Sequence, residues 1–247
     1  MTRTAQGIIA GIVLIVAWHT LVTVFALPPF ILPGPVTVAR SIIDNHALLT
    51  WHAGVTLVEI LTSLILAGLL GTLTAIAMAA SPPLKRLVSP VLLLSQAIPI
   101  FALAPILTLW LGYGFWSKVT MALLIVYFPI TSSFFDGLTQ TPRGWLDLGR
   151  QMKAKPTRLM WHIRIPAALP SLASGLRLAA VYAPVGAIIG EWVGASQGLG
   201  YLMLFANGRA KIDLMFASLA VLLLVTLALR GAAEVLCRAL LRRFPAV

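Results

Sequence analysis

Six long apolar runs, separated by short polar segments, dominate the chain. A helix needs roughly 20 mostly apolar residues to cross the hydrocarbon core of a bilayer, and each run approaches that length. The runs therefore predict six transmembrane helices, at residues 7–27, 54–80, 88–111, 119–135, 167–190 and 214–229. The predicted fold class is all-α, a polytopic membrane protein, because a helix satisfies its own backbone hydrogen bonds in lipid.

The composition excludes a soluble globular protein. Apolar residues make up 60% of the 247 residues and charged residues only 10%, which leaves too little polar surface for water to accept. The single cysteine, Cys237, excludes a disulfide framework within the chain, and no Cys/His spacing is typical of a zinc site. We therefore expect neither a bound metal nor redox chemistry.

The basic residues predict how the chain is oriented in the membrane. The net charge is +11, which in another context would indicate a nucleic-acid partner, but here the charges cluster between the apolar runs. Thirteen Lys and Arg residues fall on the side of the two termini and four on the other side. By the positive-inside rule, both termini are expected in the cytoplasm, and we expect no nucleic-acid partner.

Small residues recur at every fourth position in the second and fifth predicted spans: Ala67, Gly71, Ala75, Ala79, Gly175, Ala179, Ala183 and Ala187. This spacing lets the backbones of neighbouring helices approach closely, and in lipid such packing drives helix association. We assign these residues to packing within the bundle.

The third predicted span is interrupted by Pro99 and Pro105, close to Gln96. Proline removes backbone hydrogen bonds, so the freed carbonyls must be satisfied by neighbouring helices, side chains or a watery cavity. Such breaks recur along transport pathways, but a kink that only shapes the bundle explains them equally well. Both interpretations stay open at the level of the sequence.

Ionisable residues within the predicted spans are further candidates for function. Glu59 lies early in the second span, Arg177 lies within the fifth, and Glu191 follows the end of the fifth. Such residues are functional candidates because burying a charge in the membrane is expensive. Glu59 and Arg177 either form a functional pair or gate, or satisfy each other or a nearby carbonyl. We favour the second interpretation for Glu59.

Motifs for enzymatic chemistry are missing or lack their context. The segment nearest to a phosphate-binding loop, residues 112–119, has Ser in place of the second glycine and Val in place of the magnesium-binding hydroxyl. Gly194-Ala195-Ser196-Gln197-Gly198 matches the nucleophile-elbow pattern, but it follows a membrane helix and no His lies nearby in the sequence. We therefore expect that the chain is not an enzyme and binds no cofactor.

The longest loop on the predicted cytoplasmic side joins the fourth and fifth spans, at residues 136–165. Trp145, Leu148 and Met152 form an apolar stripe on a short basic helix that Pro156 interrupts. A second helical stretch, residues 157–165, then leads back to the membrane. A short amphipathic helix of this kind suits a groove in a partner protein, or alternatively the lipid headgroups, and the composition does not separate the two.

This loop resembles the EAA loop of ATP-binding-cassette (ABC) importer permeases that depend on a binding protein. The family pattern is E-A-A, three residues, G, and then a closing hydrophobe-Pro pair. Asp147-Leu148-Gly149 stands at E-A-A, Lys153 at the glycine, and Ile165-Pro166 at the closing pair. Because Lys153 replaces the signature glycine, the sharp bend usual at that position is open to question.

Four more segments resemble the nitrate, sulfonate and taurine branch of that family: Leu32-Pro33-Gly34-Pro35, Ala104-Pro105-Ile106-Leu107, Gly190-Glu191-Trp192 and Gly198-Leu199-Gly200-Tyr201. Within the branch, Ser95-Gln96 and the stretch from Asp147 to Ala154 are most similar to permeases for the thiamine precursor hydroxymethylpyrimidine and related pyrimidines. Sulfonate, taurine or nitrate remain alternative substrates.

The resemblance implies a type I ABC importer permease fold and a homodimer in the bacterial inner membrane. Two cytoplasmic ATPase subunits would bind ATP and Mg²⁺, and an extracytoplasmic solute-binding protein would deliver the substrate. The residues placed in contact with the ATPase are Trp145, Asp147, Leu148, Gly149, Arg150, Met152, Lys153 and Ala154. Those placed along the substrate pathway are Gln96, Pro99, Tyr182 and Glu191.

Three regions follow from this organisation. Residues 1–53 are expected to form the N-terminal membrane helix and an extracytoplasmic segment. Residues 54–236 form the permease core, with the coupling loop at 137–166, and residues 237–247 a basic cytoplasmic tail. A secondary transporter is a more distant alternative, because the sequence shows neither an inverted repeat nor paired intramembrane carboxylates.

Overall fold

The computed structural model describes the backbone of residues 3–243 and the side chains of residues 9–242. All regular elements in this range are helical: α1 (Arg3–Val24), α2 (Pro35–Asp44), α3 (His46–Ala80), α4 (Pro82–Ala97), α5 (Ile100–Leu111), α6 (Phe115–Thr139), α7 (Arg143–Gln151), α8 (Pro156–Leu159), a π-helical turn (Met160–Arg164), α9 (Ile165–Gly194), α10 (Leu199–Gly208) and α11 (Ile212–Arg243). The all-α prediction is confirmed. The last part of the predicted basic tail, residues 244–247, lies outside the described residues.

Four segments within the described residues are long and apolar enough to cross a bilayer unaided: α3, α6, α11, and α9 together with the α8 and π-helical segment before it. Helices α4 and α5 are long and apolar enough only when taken together, and they are bent by 103° at their junction, the geometry of a broken span or of a re-entrant loop. In α1, the first of the six predicted spans, the described apolar stretch is Ile9–Val24. The chain is therefore a multi-pass membrane protein, with one of the predicted spans sharply broken.

The break between α4 and α5 lies at Ile98 and Pro99. Both residues have extended backbone, and Pro99 is the N-cap of α5, as expected for a residue that cannot donate a backbone hydrogen bond. Pro105, by contrast, lies inside α5 and does not end it. Of the two prolines that the sequence offered as interruptions, Pro99 is the one that breaks the span.

The chain divides into two compact units. Unit 1 consists of residues 1–55 and 196–224, and unit 2 of residues 56–195 and 225–247. The sequence predicted a boundary at residues 53 and 54 but assigned the segment after Ala195 to the core. Unit 1 combines two segments that are far apart in the chain. No change of composition along the sequence marks the boundaries of the second segment.

Unit 2 is built around α6 and α9, whose backbones lie very close together. A Cβ atom added at Gly186 would lie 2.5 Å from Ala122 Cα, and one added at Gly175 would lie 2.8 Å from the Pro129 carbonyl oxygen. Ala179, Ala183 and Ala187 are fully buried on the same helix. The small residues at every fourth position therefore serve helix packing, as predicted. In lipid, the association of helices depends on close van der Waals contact.

Unit 1 contains two short helices, α2 and α10, that the lengths of the apolar runs did not predict. Helix α10 begins after Gly198, which has a φ of +112° that only glycine adopts readily. The Gly198 amide donates a 2.9 Å hydrogen bond to Nδ1 of the buried His52. The ring of His52 lies 5.9 Å from that of Tyr201 on α10. These contacts hold the start of α10 against α3 within unit 1.

Candidate functional site

The predicted coupling helix is present as α7, and it ends in a left-handed residue at the position of the family glycine. Lys153 has a φ of +55°. The Ala154 amide donates to the Gly149 carbonyl (3.0 Å) and the Lys153 amide to the Arg150 carbonyl (2.8 Å). This is the Schellman pattern that closes helices, usually with glycine at the left-handed position. The sharp bend that the lysine put in question is therefore formed without glycine.

The three apolar residues that the sequence placed on one stripe of this helix are exposed. Trp145 is 37% exposed, Leu148 60% and Met152 76%. Asp147 and Arg150 lie beside them and form an ion pair at 2.9 Å, with more than half of each side chain exposed. An apolar stripe left uncovered and flanked by charges is suited to docking in the groove of a partner.

Gly149 lies on the other side of α7, where the helix meets the returning chain. It is buried, and an added Cβ would overlap Leu159 Cδ2 and lie 3.2 Å from Ile163 Cδ1. Helix α8 begins at Pro156, as the predicted break at this proline required. The stretch predicted as a second helix is helical throughout, and it includes the π-helical turn, a form often found at functional sites. Arg164 ties this turn to α3 through the Ala79 carbonyl, at 3.3 Å.

Gln96 and Tyr182, the two predicted polar contacts for substrate, line the same cavity of about 450 Å³ in unit 2. The rest of its wall comes from α6 and α9: Ile125, Phe128, Pro129, Ser132, Ser133 and Leu178. An amide, a phenol and two hydroxyls are thus combined with a phenyl ring, and the wall carries no charged residue. Such a mixture of aromatic and neutral polar groups is typical of a small-molecule site.

Ser132 and Ser133 also line this cavity, and the sequence did not identify them as site residues. Most other hydroxyl side chains in the spans bond to a backbone carbonyl of the preceding turn, as Thr131 does to the Tyr127 carbonyl at 2.7 Å. Within the described residues, the hydroxyls of Ser132, Ser133 and Tyr182 have no such partner. Because an unpaired hydroxyl is costly in hydrocarbon, these groups fit a wall that faces water or a solute. Two adjacent serines in an apolar span were the available signal.

A second cavity, of about 410 Å³, shares Ser133 and Leu178 with the first. Its other lining residues are Ser174, Arg177, Val181, Arg230 and Glu234. Arg177 Nε lies 2.6 Å from Glu234 Oε2, and Arg238 Nε lies 2.7 Å from Glu234 Oε1. Arg177 therefore pairs with a carboxylate on α11, which corrects the possibility that Glu59 is its partner.

Glu59 instead belongs to a buried polar network in unit 2. Lys118 Nζ donates a 2.7 Å hydrogen bond to Glu59 Oε1, and Thr56 Oγ1 donates one of 2.6 Å to Glu191 Oε1. The carboxyl groups of Glu59 and Glu191 also interact. All four side chains are buried. Two buried carboxyl groups therefore share one network, which was not evident from the sequence.

The other two residues predicted on the pathway lie elsewhere. Glu191 belongs to the network just described, and Pro99 stands at the break between α4 and α5; neither lines the two cavities. Within the part of the chain that the structure describes, no group of three His, Cys, Asp or Glu side chains could hold a metal ion.

Comparisons with known proteins agree with these features. Residues 67–244 match the model of the family described as "Binding-protein-dependent transport system inner membrane component". A probable ABC transporter permease protein of Haemophilus influenzae is 46% identical over 90% of either chain. The formylaminopyrimidine transport permease protein ThiX of Halalkalibacterium halodurans is 41% identical over 70% of either chain.

The fold is also found in a solved transporter. The MetNI methionine ABC transporter, in an inward-facing conformation, matches 79% of this chain and 97% of its own, with a TM-score of 0.67 and 20% identity. At that identity the match establishes the fold, that of an ABC importer permease. The membrane-length helices and the family match over residues 67–244 lead to one conclusion: the chain belongs to the family of membrane permeases of binding-protein-dependent ABC transporters, whose members are not enzymes.

Proposed function

We propose that this permease imports an uncharged pyrimidine, a thiamine precursor of the hydroxymethylpyrimidine type. The observation that carries the proposal is the cavity lined by Gln96, Tyr182, Ser132 and Ser133. An amide supplies both a donor and an acceptor for the edge of a heterocycle, and an aromatic ring stacks on its face. The similarity to the formylaminopyrimidine permease ThiX supports the same class of substrate.

The alternative substrates, sulfonate, taurine and nitrate, are less well matched by this cavity. Recognition of such an anion usually relies on Arg, Lys or clustered backbone amides. The wall around Gln96 and Tyr182 contains neither Arg nor Lys. Arg177, which lines the adjoining cavity, is already paired with Glu234.

The pathway would be completed by a second copy of the chain. Gln96 and Tyr182 are exposed in the isolated chain, Tyr182 by 47%. They lie on the cavity wall that also carries unpaired hydroxyl groups, which exposure to lipid would destabilise. Two such walls facing each other in a homodimer would enclose a solute between them and shield those groups from lipid. The family match over most of the chain supports an assembly with an ATPase and a binding protein.

The energy would enter through α7. An ATPase subunit that binds ATP and Mg²⁺ would receive Trp145, Leu148 and Met152 in a groove, while Asp147, Arg150 and Lys153 fix the orientation of the helix. Gly149 and Ala154 would maintain the turn that joins α7 to the membrane. Closure of two ATPase subunits would then favour one of two states of the bundle. This arrangement places both termini and α7 on the cytoplasmic side of the bacterial inner membrane.

Uptake of labelled hydroxymethylpyrimidine by cells that express the permease with its ATPase and binding protein tests the proposed substrate. We expect saturable, ATP-dependent uptake that excess taurine does not inhibit. We expect Tyr182→Ala and Gln96→Ala to reduce it at least about tenfold, through loss of stacking and of a hydrogen-bonding pair. Gln140→Ala, at the end of α6 and outside the cavity, is the control. Uptake of taurine in place of the pyrimidine would contradict the proposal.

A further inference from the structure

The buried polar network of unit 2 leaves one carboxyl oxygen without a partner. Lys118 Nζ donates to Glu59 Oε1, and Thr56 Oγ1 donates to Glu191 Oε1. Among the described residues, Glu59 Oε2 is buried and accepts no hydrogen bond. Because an unsatisfied carboxyl oxygen is costly in the interior of a membrane protein, a hydrogen-bond donor is expected beside this atom.

The carboxyl group of Glu191 is in a position to supply this donor. The side chains of Glu59 and Glu191 interact directly. Thr56, which bonds to Glu191, lies three positions before Glu59 on the same face of α3. Two ionised carboxylates can only accept hydrogen bonds, whereas a protonated carboxyl group donates one as well. A proton between the two groups therefore converts a repulsive contact into a hydrogen bond.

The charges of the network indicate the same proton. With both carboxyl groups ionised, the four side chains would have a net charge of −1, because Lys118 is the single cation among them. Glu59 is 0% exposed and Glu191 1%, and a net charge is disfavoured at such a buried position. One bound proton brings the net charge of the four side chains to zero.

We propose that this network is a proton-binding site and that Glu191 holds the proton. Glu191 donates it to Glu59 Oε2 and accepts from Thr56 through Oε1, while Glu59 remains the carboxylate that pairs with Lys118. Glu191 is the acid of the two because the ammonium group at 2.7 Å favours the ionised form of Glu59. The proton completes the hydrogen bonds that join α3, α6 and α9.

The bound proton makes the stability of the permease depend on pH. A glutamate in the unfolded chain is ionised above about pH 5. The folded protein then holds one proton more than the unfolded chain, so each unit of rising pH favours unfolding about tenfold. The titratable groups that face one another here are Lys118 from α6, Glu59 from α3 and Glu191 from α9. His52, also on α3, bonds instead to the Gly198 amide.

Glutamine in place of each glutamate tests which of them is protonated, because an amide donates and accepts hydrogen bonds but does not ionise. We expect Glu191→Gln to unfold in detergent at or above the wild-type temperature. Glu59→Gln removes the carboxylate that neutralises Lys118, and should unfold at least about 5 °C below the wild type. Destabilisation of Glu191→Gln as strong as that of Glu59→Gln would overturn the proposal.

The pH dependence provides a second readout on the same variant. Between about pH 6 and about pH 8, the wild type should lose stability relative to Glu191→Gln, because only the wild type releases a proton from this position when it unfolds. The comparison removes the contribution of the other titratable groups, which both proteins share. Parallel pH profiles of the two proteins would contradict a proton on Glu191.

Infrared spectroscopy of the purified permease detects the proton directly. The carbonyl stretch of a protonated carboxyl group is separate from the bands of a carboxylate, and a detergent without ester groups keeps this region clear. We expect the band in the wild type at neutral pH and its loss in Glu191→Gln. Glu234→Gln, the same change at a carboxylate paired with two arginines, is the control and should keep the band. Its absence from the wild type, or its persistence in Glu191→Gln, would overturn the proposal.

Discussion

Lys118 on α6 and Glu59 on α3 form an ion pair of 2.7 Å although they are 59 positions apart in the chain. Both side chains are almost completely buried, with 9% and 1% of their surface exposed. A charge in such a place is tolerated only when it is paired and hydrogen-bonded. The pair therefore fixes where α3 and α6 meet within unit 2.

Removing the cation of this pair is expected to destabilise the permease strongly. In Lys118→Met the carboxylate of Glu59 loses the ammonium group that pairs with it, at a cost of about 3–5 kcal/mol. Thermal unfolding of the purified protein in detergent measures the loss. The double variant Lys118→Met/Glu59→Gln removes both charges and should recover part of the stability. If the double variant unfolded at no higher temperature than the single variant, the unpaired charge would not be the reason for the loss of stability.

Replacing Lys153 by glycine is expected to strengthen the turn after α7. A side chain in the left-handed conformation costs roughly 1 kcal/mol, which glycine avoids. We expect slower hydrogen exchange of the Ala154 amide in Lys153→Gly, because that amide closes the turn on Gly149. Lys155→Gly provides the control, since Lys155 has a φ of −65° and gains nothing from glycine. Equal effects of the two variants would argue against strain at Lys153.

The close approach of α6 and α9 predicts opposite effects for two glycine substitutions. Gly186→Ala would push a methyl group to 2.5 Å from Ala122 Cα, a backbone atom that cannot move alone, and should cost about 1–3 kcal/mol. Gly231→Ala enters open space on α11 and should stabilise the helix by about 0.5–1 kcal/mol. Thermal unfolding distinguishes them, and a stabilising Gly186→Ala would contradict the tight packing.

Charge placed on the exposed stripe of α7 is expected to uncouple transport. Leu148→Asp buries a carboxylate against the ATPase groove in the proposed assembly, and should weaken ATPase association at least about tenfold. Asp147→Asn should also reduce uptake, by removing the carboxylate that is proposed to fix the orientation of α7 on the ATPase. Membrane insertion should be unchanged in both variants. Gln151→Ala, an exposed change on the same helix, serves as the control. Full uptake by Leu148→Asp would show that this face is not the contact.

Local patterns predicted much of the fold and of the loop that contains α7. Apolar length identified the spans, Pro99 marked the point where one of them breaks, and the spacing of Trp145, Leu148 and Met152 identified α7. These features depend on neighbours in the sequence. Helices α2 and α10 were not predicted, because each has 10 residues, too few to cross a membrane.

The partners of the buried charges could not be obtained in this way. The sequence offered Glu59 and Arg177 as possible partners, whereas the structure pairs Glu59 with Lys118 and Arg177 with Glu234. Nor did it connect Glu191 with Thr56, 135 positions away. Contacts between helices depend on how each helix is rotated about its axis and on how closely the helices approach. Small residues such as Gly175 and Gly186 determine the rotation and the approach only when the helices are packed against each other.

The amino-acid sequence by itself determined that the chain is an all-α membrane protein with an amphipathic loop helix, because hydrophobic length and helical period are local properties. Only the tertiary structure decided which charges neutralise each other and that Gln96, Tyr182 and the two serines face one cavity. The physical reason is that a buried polar group must find its partner in space, and in this protein the partners lie on different helices.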